Sequence, residues 1–322
     1  MSDKKYIKKF WNEKPYHSLD YELKKTFGKK LYKLSLNGGM SCPNRDGTLD
    51  SRGCIFCSNG GSGDFAAPSN LSITDQIEKA KNLIIDKLPA NMDIEYIAYF
   101  QAFTNTYAPI EYLEKIYNQA INHPDIVALS IATRPDCLSD KVLSLLKDLN
   151  TKKPVWIELG LQTIHKDTAK WMRRGYELPV FEDAVWRLHT IGITVIVHTI
   201  LGLPNETKDD ILKTMTYIGK LHDDGLVSGI KLQLLHILKG TELGQLYLEN
   251  KLSYTLSMND YIELIITCLE HLPKGLVIHR LTGDGPKKLL LAPLWSSNKK
   301  LVLNTLHRTM KELDSWQGKH YA

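Results

Sequence analysis

The chain lacks any apolar run that approaches the roughly 18 residues a membrane span needs, and it has no internal repeat, low-complexity tract or flexible linker. Its first residues, MSDKKYIKKFWNEK, are charged and lack the apolar core of a secretory signal. Cysteine is scarce, at five residues, and an odd cysteine count without an export signal is typical of a reducing compartment. We therefore expect a cytoplasmic protein that is not bound to a membrane and whose thiols are not paired in disulfides.

Positive charge is concentrated at one end of the chain. The 322 residues carry a net charge of +5, whereas residues 1–33 alone contain ten lysines and four acidic residues, a local charge of +6. Aromatic side chains are interleaved with those lysines, among them Phe10, Trp11, Tyr16, Tyr21, Phe27 and Tyr32. A lysine-rich end is either a solvated arm or a surface for phosphates and stacked bases, so both interpretations stay open here.

Three of the five cysteines, Cys42, Cys54 and Cys57, fall within sixteen residues, in the run LSLNGGMSCPNRDGTLDSRGCIFCSNGGSG. The other two, Cys137 and Cys268, are isolated. Three clustered thiolates can hold three irons of a [4Fe–4S] cluster, and the fourth iron then remains open to a small molecule. The count of three is therefore as informative as the cysteines themselves.

Two other interpretations of the three cysteines are weaker: a structural zinc site, and buried thiols that hold no metal. Structural zinc takes four ligands, and there is one close pair here with no histidine between His17 and His123. Buried thiols acting as small hydrophobic groups are not expected in a segment with seven glycines and many polar residues. We expect Cys42, Cys54 and Cys57 to be the metal ligands.

Apolar segments alternate with amphipathic ones after the cysteine loop. The strands we predict are Leu31–Asn37, Ile94–Gln101, Ile126–Ala132, Val155–Gln162, Thr194–Gly202 and Gly229–Ile237, with Leu276–Gly283 as a candidate seventh. Six β/α units predict an α/β fold, a partial (β/α)6 barrel whose site lies at the carboxyl ends of the strands. A doubly wound sheet is the alternative, although its glycine-rich phosphate turn is not present after the first strand. We expect a basic amino-terminal arm at residues 1–30, a core barrel at 31–240 and a carboxyl-terminal α/β extension at 241–322.

The cysteine run resembles the radical S-adenosylmethionine (SAM) superfamily, whose usual pattern is CxxxCxxC with an aromatic residue before the last cysteine. Cys54-Ile55-Phe56-Cys57 matches the second half, whereas eleven residues separate Cys42 from Cys54. Longer spacings occur in the branch that contains the Elongator catalytic subunit. The segments CPNRDGT, GLQTIH, GLPNET, APLWSSNK and WQGK resemble a bacterial family of tRNA wobble-uridine-modifying proteins in that branch.

The resemblance implies that SAM binds the open iron and lies across the strand ends. The residues it places near SAM are Gln101, Thr104, Thr133, Glu158, Gln162, Arg174 and His198. Glu158 and Gln162 are four residues apart on one strand, which puts both side chains on one face. Gln162 could instead only satisfy backbone groups at a strand end, and one of Arg173 and Arg174 could be a plain surface charge.

The same resemblance implies the function. A radical SAM enzyme uses one electron to cleave SAM, and the resulting 5′-deoxyadenosyl radical removes a hydrogen atom from the substrate. The family suggests tRNA as the substrate, and conversion of carboxymethylaminomethyl to aminomethyl at carbon 5 of the wobble uridine as the step. It also suggests an electron donor such as flavodoxin or ferredoxin, and a functional link to a SAM-dependent tRNA methyltransferase. A small-metabolite enzyme and a non-catalytic, metal-stabilised RNA-binding module are the alternatives.

Overall fold

A computed structural model describes residues 10–85, 94–252, 256–283 and 285–321. Seven parallel strands form a half-barrel in the order β1-β2-β3-β4-β5-β6-β8, and two short antiparallel strands, β7 and β9, form a separate pair. The strands are β1 Leu31–Leu36, β2 Glu95–Phe100, β3 Ile126–Thr133, β4 Val155–Gln162, β5 Thr194–Leu201, β6 Gly229–Leu234, β7 Ile237–Leu238, β8 Val277–Arg280 and β9 Leu290–Ala292. The helices are α1 Leu19–Phe27, α2 Ile73–Ile85, α3 Ile110–Ile121, α4 Asp140–Asn150, α5 Lys166–Trp171, α6 Leu178–Thr190, α7 Lys208–Asp223, α8 Glu242–Leu248, α9 Met258–Glu270 and α10 Lys299–Glu312.

The strand order confirms the barrel and excludes the doubly wound sheet. Neighbours in the sheet follow the chain order, whereas a doubly wound sheet reverses its order at a switch point. All six predicted strands form where we expected them, and the candidate seventh becomes β8, which pairs with β6.

Helix ends follow the expected capping chemistry. The Ser139 hydroxyl accepts from the Val142 N–H at the start of α4, and Thr207 and Asp210 form a capping box at the start of α7. Asn298 caps α10, which ends at Glu312.

Side chains alternate between the two faces of the sheet. Those that point outward, such as Leu34, Phe100 and Ile131, join one large apolar core beneath the helices. Those that point into the half-barrel include a buried polar layer, formed by Ser130, Glu158 and Lys231. Because unpaired buried charges are costly, this inner layer must be internally paired, and it marks the floor of a site.

Helix α1 covers the amino ends of the strands. Its Leu23 packs with Leu31, Ile97 and Ala128, which lie near the starts of β1, β2 and β3. Just before α1, the His17 carbonyl accepts from the Ile278 N–H at 2.7 Å and ties this segment to β8. The described part of the amino-terminal arm therefore lies at the end of the barrel opposite the cysteine loop. Lys4, Lys5, Lys8 and Lys9 lie outside the described residues.

The carboxyl-terminal part packs against the barrel and supplies β8 to its sheet. Leu306 and Met310 of α10 belong to the main core. None of the helices in the described ranges combines the length and the hydropathy that a bilayer crossing requires.

Candidate active site

A cavity of about 260 Å³ opens at the carboxyl ends of the strands. All ten predicted site residues line it: Cys42, Cys54, Cys57, Gln101, Thr104, Thr133, Glu158, Gln162, Arg174 and His198. Most of them belong to a strand end or to the loop that follows, and the carboxyl ends of parallel strands share one edge of the sheet. Glu158 and His198 lie within β4 and β5, and Arg174 follows α5.

The cysteine loop is held by its own backbone and by one arginine. The Cys57 N–H donates to the Cys54 carbonyl at 3.0 Å, which closes a tight turn between the two thiols. Arg45 donates through Nη2 to the carbonyls of Cys57 and Ser58, each at 2.7 Å. The loop is thus ordered by bonds that do not use the sulfur atoms.

Close packing behind the loop depends on a glycine. A Cβ on Gly61 would lie 2.4 Å from the Phe103 ring, so a larger residue would not fit. The Phe103 N–H donates to the Gly61 carbonyl at 2.8 Å, and Phe103 takes a φ of +60°, a conformation that favours glycine. Ser62 and Gln162, which also line the cavity, share this left-handed backbone, as expected where strain collects at functional sites.

The three thiols are not gathered into one compact tetrahedral group. Thiolates on one tetrahedral zinc lie within ~3.8 Å of one another, given a Zn–S bond of about 2.3 Å. The sulfur atoms of Cys42, Cys54 and Cys57 are not all within 4.8 Å of one another, and the group of described residues that meets this limit is Glu78, His123 and Asp125. A four-iron cluster places irons and sulfides between its thiolates, so its ligands do not need to lie that close together.

The thiols of Cys54 and Cys57 do not ionise readily by themselves. Burial raises the pKa of the Cys54 thiol to about 11, and it also raises the pKa of Cys57. A metal supplies the positive charge that deprotonates such ligands. Asn44 Nδ2 lies 3.5 Å from Cys54 Sγ and donates to the Arg173 carbonyl at 2.7 Å, which is the kind of outer contact that orients a metal-binding sulfur.

Glu158 is the centre of a hydrogen-bonded network on the cavity floor. One carboxylate oxygen accepts from Lys33 Nζ at 2.5 Å and from Ser130 Oγ at 2.7 Å. The other accepts from His198 Nε2 at 2.7 Å and pairs with Lys231. Burial would raise the pKa of Glu158, but Lys231 and Lys33 outweigh it, and the pKa lies well below its usual range. The carboxylate is therefore ionised, and each oxygen already accepts two hydrogen bonds.

His198 is neutral. Burial and the Lys231 charge lower the pKa of His198 to about 4 despite the bond to Glu158. Because the ionised carboxylate can only accept, the proton of the ring lies on Nε2, and Nδ1 is left as an acceptor. Gln233 Nε2 lies 3.4 Å from that Nδ1 atom. The cavity thus holds an uncharged hydrogen-bonding group, suited to hydroxyl or amide partners.

Gln162 has an unsatisfied polar atom in the cavity. Its Oε1 atom is buried and has no hydrogen-bond partner among the described residues. Its φ is +67°, and the pairing of β4 with β5 shifts register between Gly160 and Gln162. Glu158 and Gln162 line the same cavity, although this irregularity interrupts the strict alternation on which we based that expectation. Buried polar atoms in proteins nearly always have a hydrogen-bond partner, so this amide oxygen is a candidate contact for a ligand.

The remaining predicted residues are largely engaged with the protein. Gln101 Nε2 donates to the Ser62 carbonyl at 2.7 Å, and Thr133 Oγ1 lies 2.6 Å from the hydroxyl of another threonine. Thr104 is buried and bonds through its N–H to the Ser41 carbonyl at 3.2 Å. Arg174 donates to the carbonyls of Leu161, Thr163 and Tyr176. One N–H of its guanidinium remains for a ligand, since four of the five have acceptors.

Several residues of the site were not predicted from the sequence. Lys33, Lys231 and Tyr99 belong to the Glu158 network, and Tyr176 packs against both Arg134 and Arg174. A signal for the lysines does exist, because LYKLSL and GIKLQL each carry a single charge in a strand whose other residues are uncharged and mostly apolar. In a barrel strand, that pattern indicates a lysine that points inward to a partner.

These residues fit an iron–sulfur cluster together with an organic ligand. The cavity is lined by three thiols, by a glutamine whose buried amide oxygen has no hydrogen-bond partner among the described residues, and by an ionised, fully hydrogen-bonded carboxylate. The arrangement defines a metal-dependent enzyme with a half-barrel fold and a site at the carboxyl edge.

The chain belongs to the radical SAM superfamily. Residues 51–218, about half of the chain, match the profile of that superfamily, and residues 227–312 match the Radical_SAM C-terminal domain. It is therefore a radical SAM enzyme, of the class whose cofactors are a [4Fe–4S] cluster and S-adenosylmethionine. The superfamily match begins after Cys42, in keeping with the long spacing between Cys42 and Cys54.

Three similar proteins place the chain more narrowly. It is 43% identical to the uncharacterized protein YtqA of Bacillus subtilis (strain 168), over 96% of this chain and 94% of that protein. It is 26% identical to the tRNA uridine(34) acetyltransferase of Methanocaldococcus infernus, over 59% of this chain but 34% of the acetyltransferase. The archaeal Methanocaldococcus infernus Elp3, solved without residues 1-46, matches the fold with a TM-score of 0.64 at 18% identity, over 89% of this chain and 64% of that one.

Proposed function

We propose that this radical SAM enzyme modifies tRNA at the carbon 5 side chain of the wobble uridine, converting carboxymethylaminomethyl to aminomethyl. The conversion would balance as a two-electron oxidation of the N–CH2 group, with SAM as the oxidant that ends as methionine and 5′-deoxyadenosine, followed by hydrolysis that releases the two-carbon unit as glyoxylate. The proposal rests on the sequence similarity of this chain to a tRNA uridine(34) acetyltransferase and on the similarity of its fold to that of Elp3. Its site also fits a cluster and SAM. The match covers 34% of that acetyltransferase, so we do not propose acetyl transfer for this chain.

In this proposal Cys42, Cys54 and Cys57 hold the cluster. The unpaired amide oxygen of Gln162 accepts from SAM, and the Nδ1 atom of His198 accepts from a SAM hydroxyl in place of its long 3.4 Å contact with Gln233 Nε2. Thr104, Thr133 and Gln101 line the SAM path, and Arg174 offers its last N–H to the SAM carboxylate. Glu158 acts by orienting His198, because both of its carboxylate oxygens already accept two hydrogen bonds. When bound, the cluster and SAM supply the removal of a hydrogen atom from an unactivated carbon.

The charge of the cavity supports a substrate that carries a carboxylate. Four arginines and two carboxylates line the cavity. The arginines are Arg45, Arg134, Arg174 and Arg280, and the carboxylates are Asp64 and Glu158. A cationic wall attracts anionic groups. SAM has one carboxylate, and the carboxymethyl group of the proposed nucleoside has another.

The proposal also includes the partners and the location. A small one-electron donor such as flavodoxin or ferredoxin would reduce the cluster, and a SAM-dependent tRNA methyltransferase would act on the aminomethyl product. A cytoplasmic location follows from such a substrate.

The test is to incubate anaerobically reduced enzyme with SAM and tRNA from a strain that lacks the gene, and to analyse nucleosides by mass spectrometry. We expect carboxymethylaminomethyluridine to decrease and aminomethyluridine to increase. Cys57→Ala should abolish the change, and Cys268→Ala should preserve it. If no nucleoside changes and the deletion strain has an intact modification profile, a small-metabolite substrate replaces tRNA. If purified protein binds tRNA but never cleaves SAM, it is a binding module.

A further inference from the structure

A basic segment begins at the rim of the cavity. We call residues 285–300 the C-terminal strap; they contain Lys287, Lys288, Lys299 and Lys300 and no acidic residue. All four lysines are exposed. Gly285 and Pro286, at the start of the strap, line the cavity itself. Positive charge therefore begins where a substrate would enter.

The strap is fixed to the barrel. The Lys239 N–H donates to the Leu289 carbonyl at 2.7 Å, and β9 within the strap pairs with β7. The His236 ring bonds to Ser296 Oγ at 3.0 Å and packs against Gly285, where a Cβ would lie 3.3 Å from the ring. These bonds hold the lysines of the strap in a defined position, which reduces the entropy lost when they bind a partner.

An exposed aromatic side chain also lines the cavity. Phe65, in the cysteine loop, is 57% exposed. Aromatic side chains in this setting stack with unpaired bases, and every base offers a face for stacking. Lys287 and Lys288 directly follow the cavity-lining Pro286, and together with the exposed Phe65 ring they match the phosphates and the splayed bases of a single-stranded RNA loop.

Other cations near the cavity are already engaged. Arg52 pairs with Asp50 at 3.1 Å, and Arg173 pairs with Glu242 at 2.7 Å. Lys287 and Lys288, by contrast, make no ion pair with any residue that the structure describes. The lysines of α1 are remote, because α1 covers the opposite end of the barrel.

We propose that Lys287 and Lys288 bind phosphates of the tRNA anticodon loop while Phe65 stacks on a base at the cavity entrance. This inference rests on the proposed function, and it assigns the RNA surface of the same site. It places the RNA contact on the C-terminal strap and not on the described part of the amino-terminal arm.

The test compares two lysine pairs in cluster-loaded protein with SAM bound. K287Q/K288Q removes two charges at the cavity, and K24Q/K25Q removes two exposed charges on α1 as the matched control. Affinity for the tRNA is measured by filter binding at several salt concentrations. Two lost phosphate contacts on a single strand should reduce the salt slope by about 1.4, and we expect about tenfold weaker binding at low salt.

The control should bind like the wild type. Phe65→Leu keeps an apolar side chain without an aromatic face, and it should weaken binding several-fold at an unchanged salt slope. If K287Q/K288Q binds like the wild type, or the control loses affinity equally, the strap is not the RNA surface, whereas nucleoside conversion by the wild type would still support the proposed function. If the wild type neither prefers tRNA over other RNA nor converts its nucleosides, both proposals fail together.

Discussion

His198 Nε2 donates a hydrogen bond of 2.7 Å to Glu158 Oε2 on the floor of the cavity. The same carboxylate bonds to Lys33 of β1 and Lys231 of β6, so it joins strands from both sides of the half-barrel. In the described structure, β1 pairs with β2 alone and does not close onto β8. The network therefore bridges the open lumen, and it holds a neutral imidazole where SAM is proposed to lie.

Glu158→Gln should destabilise the protein. The amide keeps the shape of the carboxylate but leaves the buried Lys231 and the half-buried Lys33 without a countercharge, and breaking a buried ion pair typically costs ~3–5 kcal/mol. Urea unfolding under anaerobic conditions measures the loss. Glu111→Gln, on the surface of α3, is the control and should change the free energy of unfolding by less than about 0.5 kcal/mol. A similarly small effect at Glu158 would show that the network does not stabilise the half-barrel.

The stability of the protein should depend on the titration of His198. Its pKa is lowered to about 4 in the folded state, below the unfolded value of about 6.5. The unfolded chain therefore binds the proton more readily, and this stability is present above pH 6.5 and is lost as the pH falls toward 4. We expect the histidine to contribute about 2 kcal/mol of the loss between pH 7 and pH 5. His198→Gln should reduce the measured pH dependence by that amount, and an unchanged dependence would contradict a neutral, buried imidazole.

Each of Cys42→Ala, Cys54→Ala and Cys57→Ala should prevent assembly of the cluster. Iron and sulfide analysis after anaerobic reconstitution should give about four of each per wild-type chain and few in these variants. Cys137→Ala and Cys268→Ala are matched controls and should keep the wild-type content. Stoichiometric zinc without iron in the wild type would exclude the cluster.

Local chemistry explains why much of the fold could be predicted. Strands buried on both faces appear as short apolar runs, and the helix caps at Ser139 and Thr207 depend on residues three positions away. The SAM residues were named from the family resemblance, and most of them meet because they lie at or after the carboxyl ends of parallel strands, which share one edge.

Long-range pairing explains what could not be predicted. Lys33 and Glu158 are 125 residues apart, and the geometry of the half-barrel alone brings them together. Sequence spacing also cannot anticipate the register shift before Gln162, or the commitment of most Arg174 N–H groups to backbone carbonyls. These features depend on which groups remain unpaired once the sheet has formed.

Gln162→Ala should weaken SAM binding, because the Gln162 amide oxygen is buried without a partner in the described structure and a ligand donor would satisfy it. Removing that contact should cost about 1–3 kcal/mol of binding free energy, since the SAM donor would then be left unpaired. Isothermal titration of cluster-loaded, unreduced protein with SAM measures this directly. Gln245→Ala, on α8, is the matched control and should bind SAM like the wild type.

Arg174→Lys tests the second contact with SAM. Loss of the hydrogen bonds to backbone carbonyls should lower the melting temperature of the protein as well as its affinity for SAM. Unchanged SAM affinity in both Gln162→Ala and Arg174→Lys would remove these two residues from the SAM site.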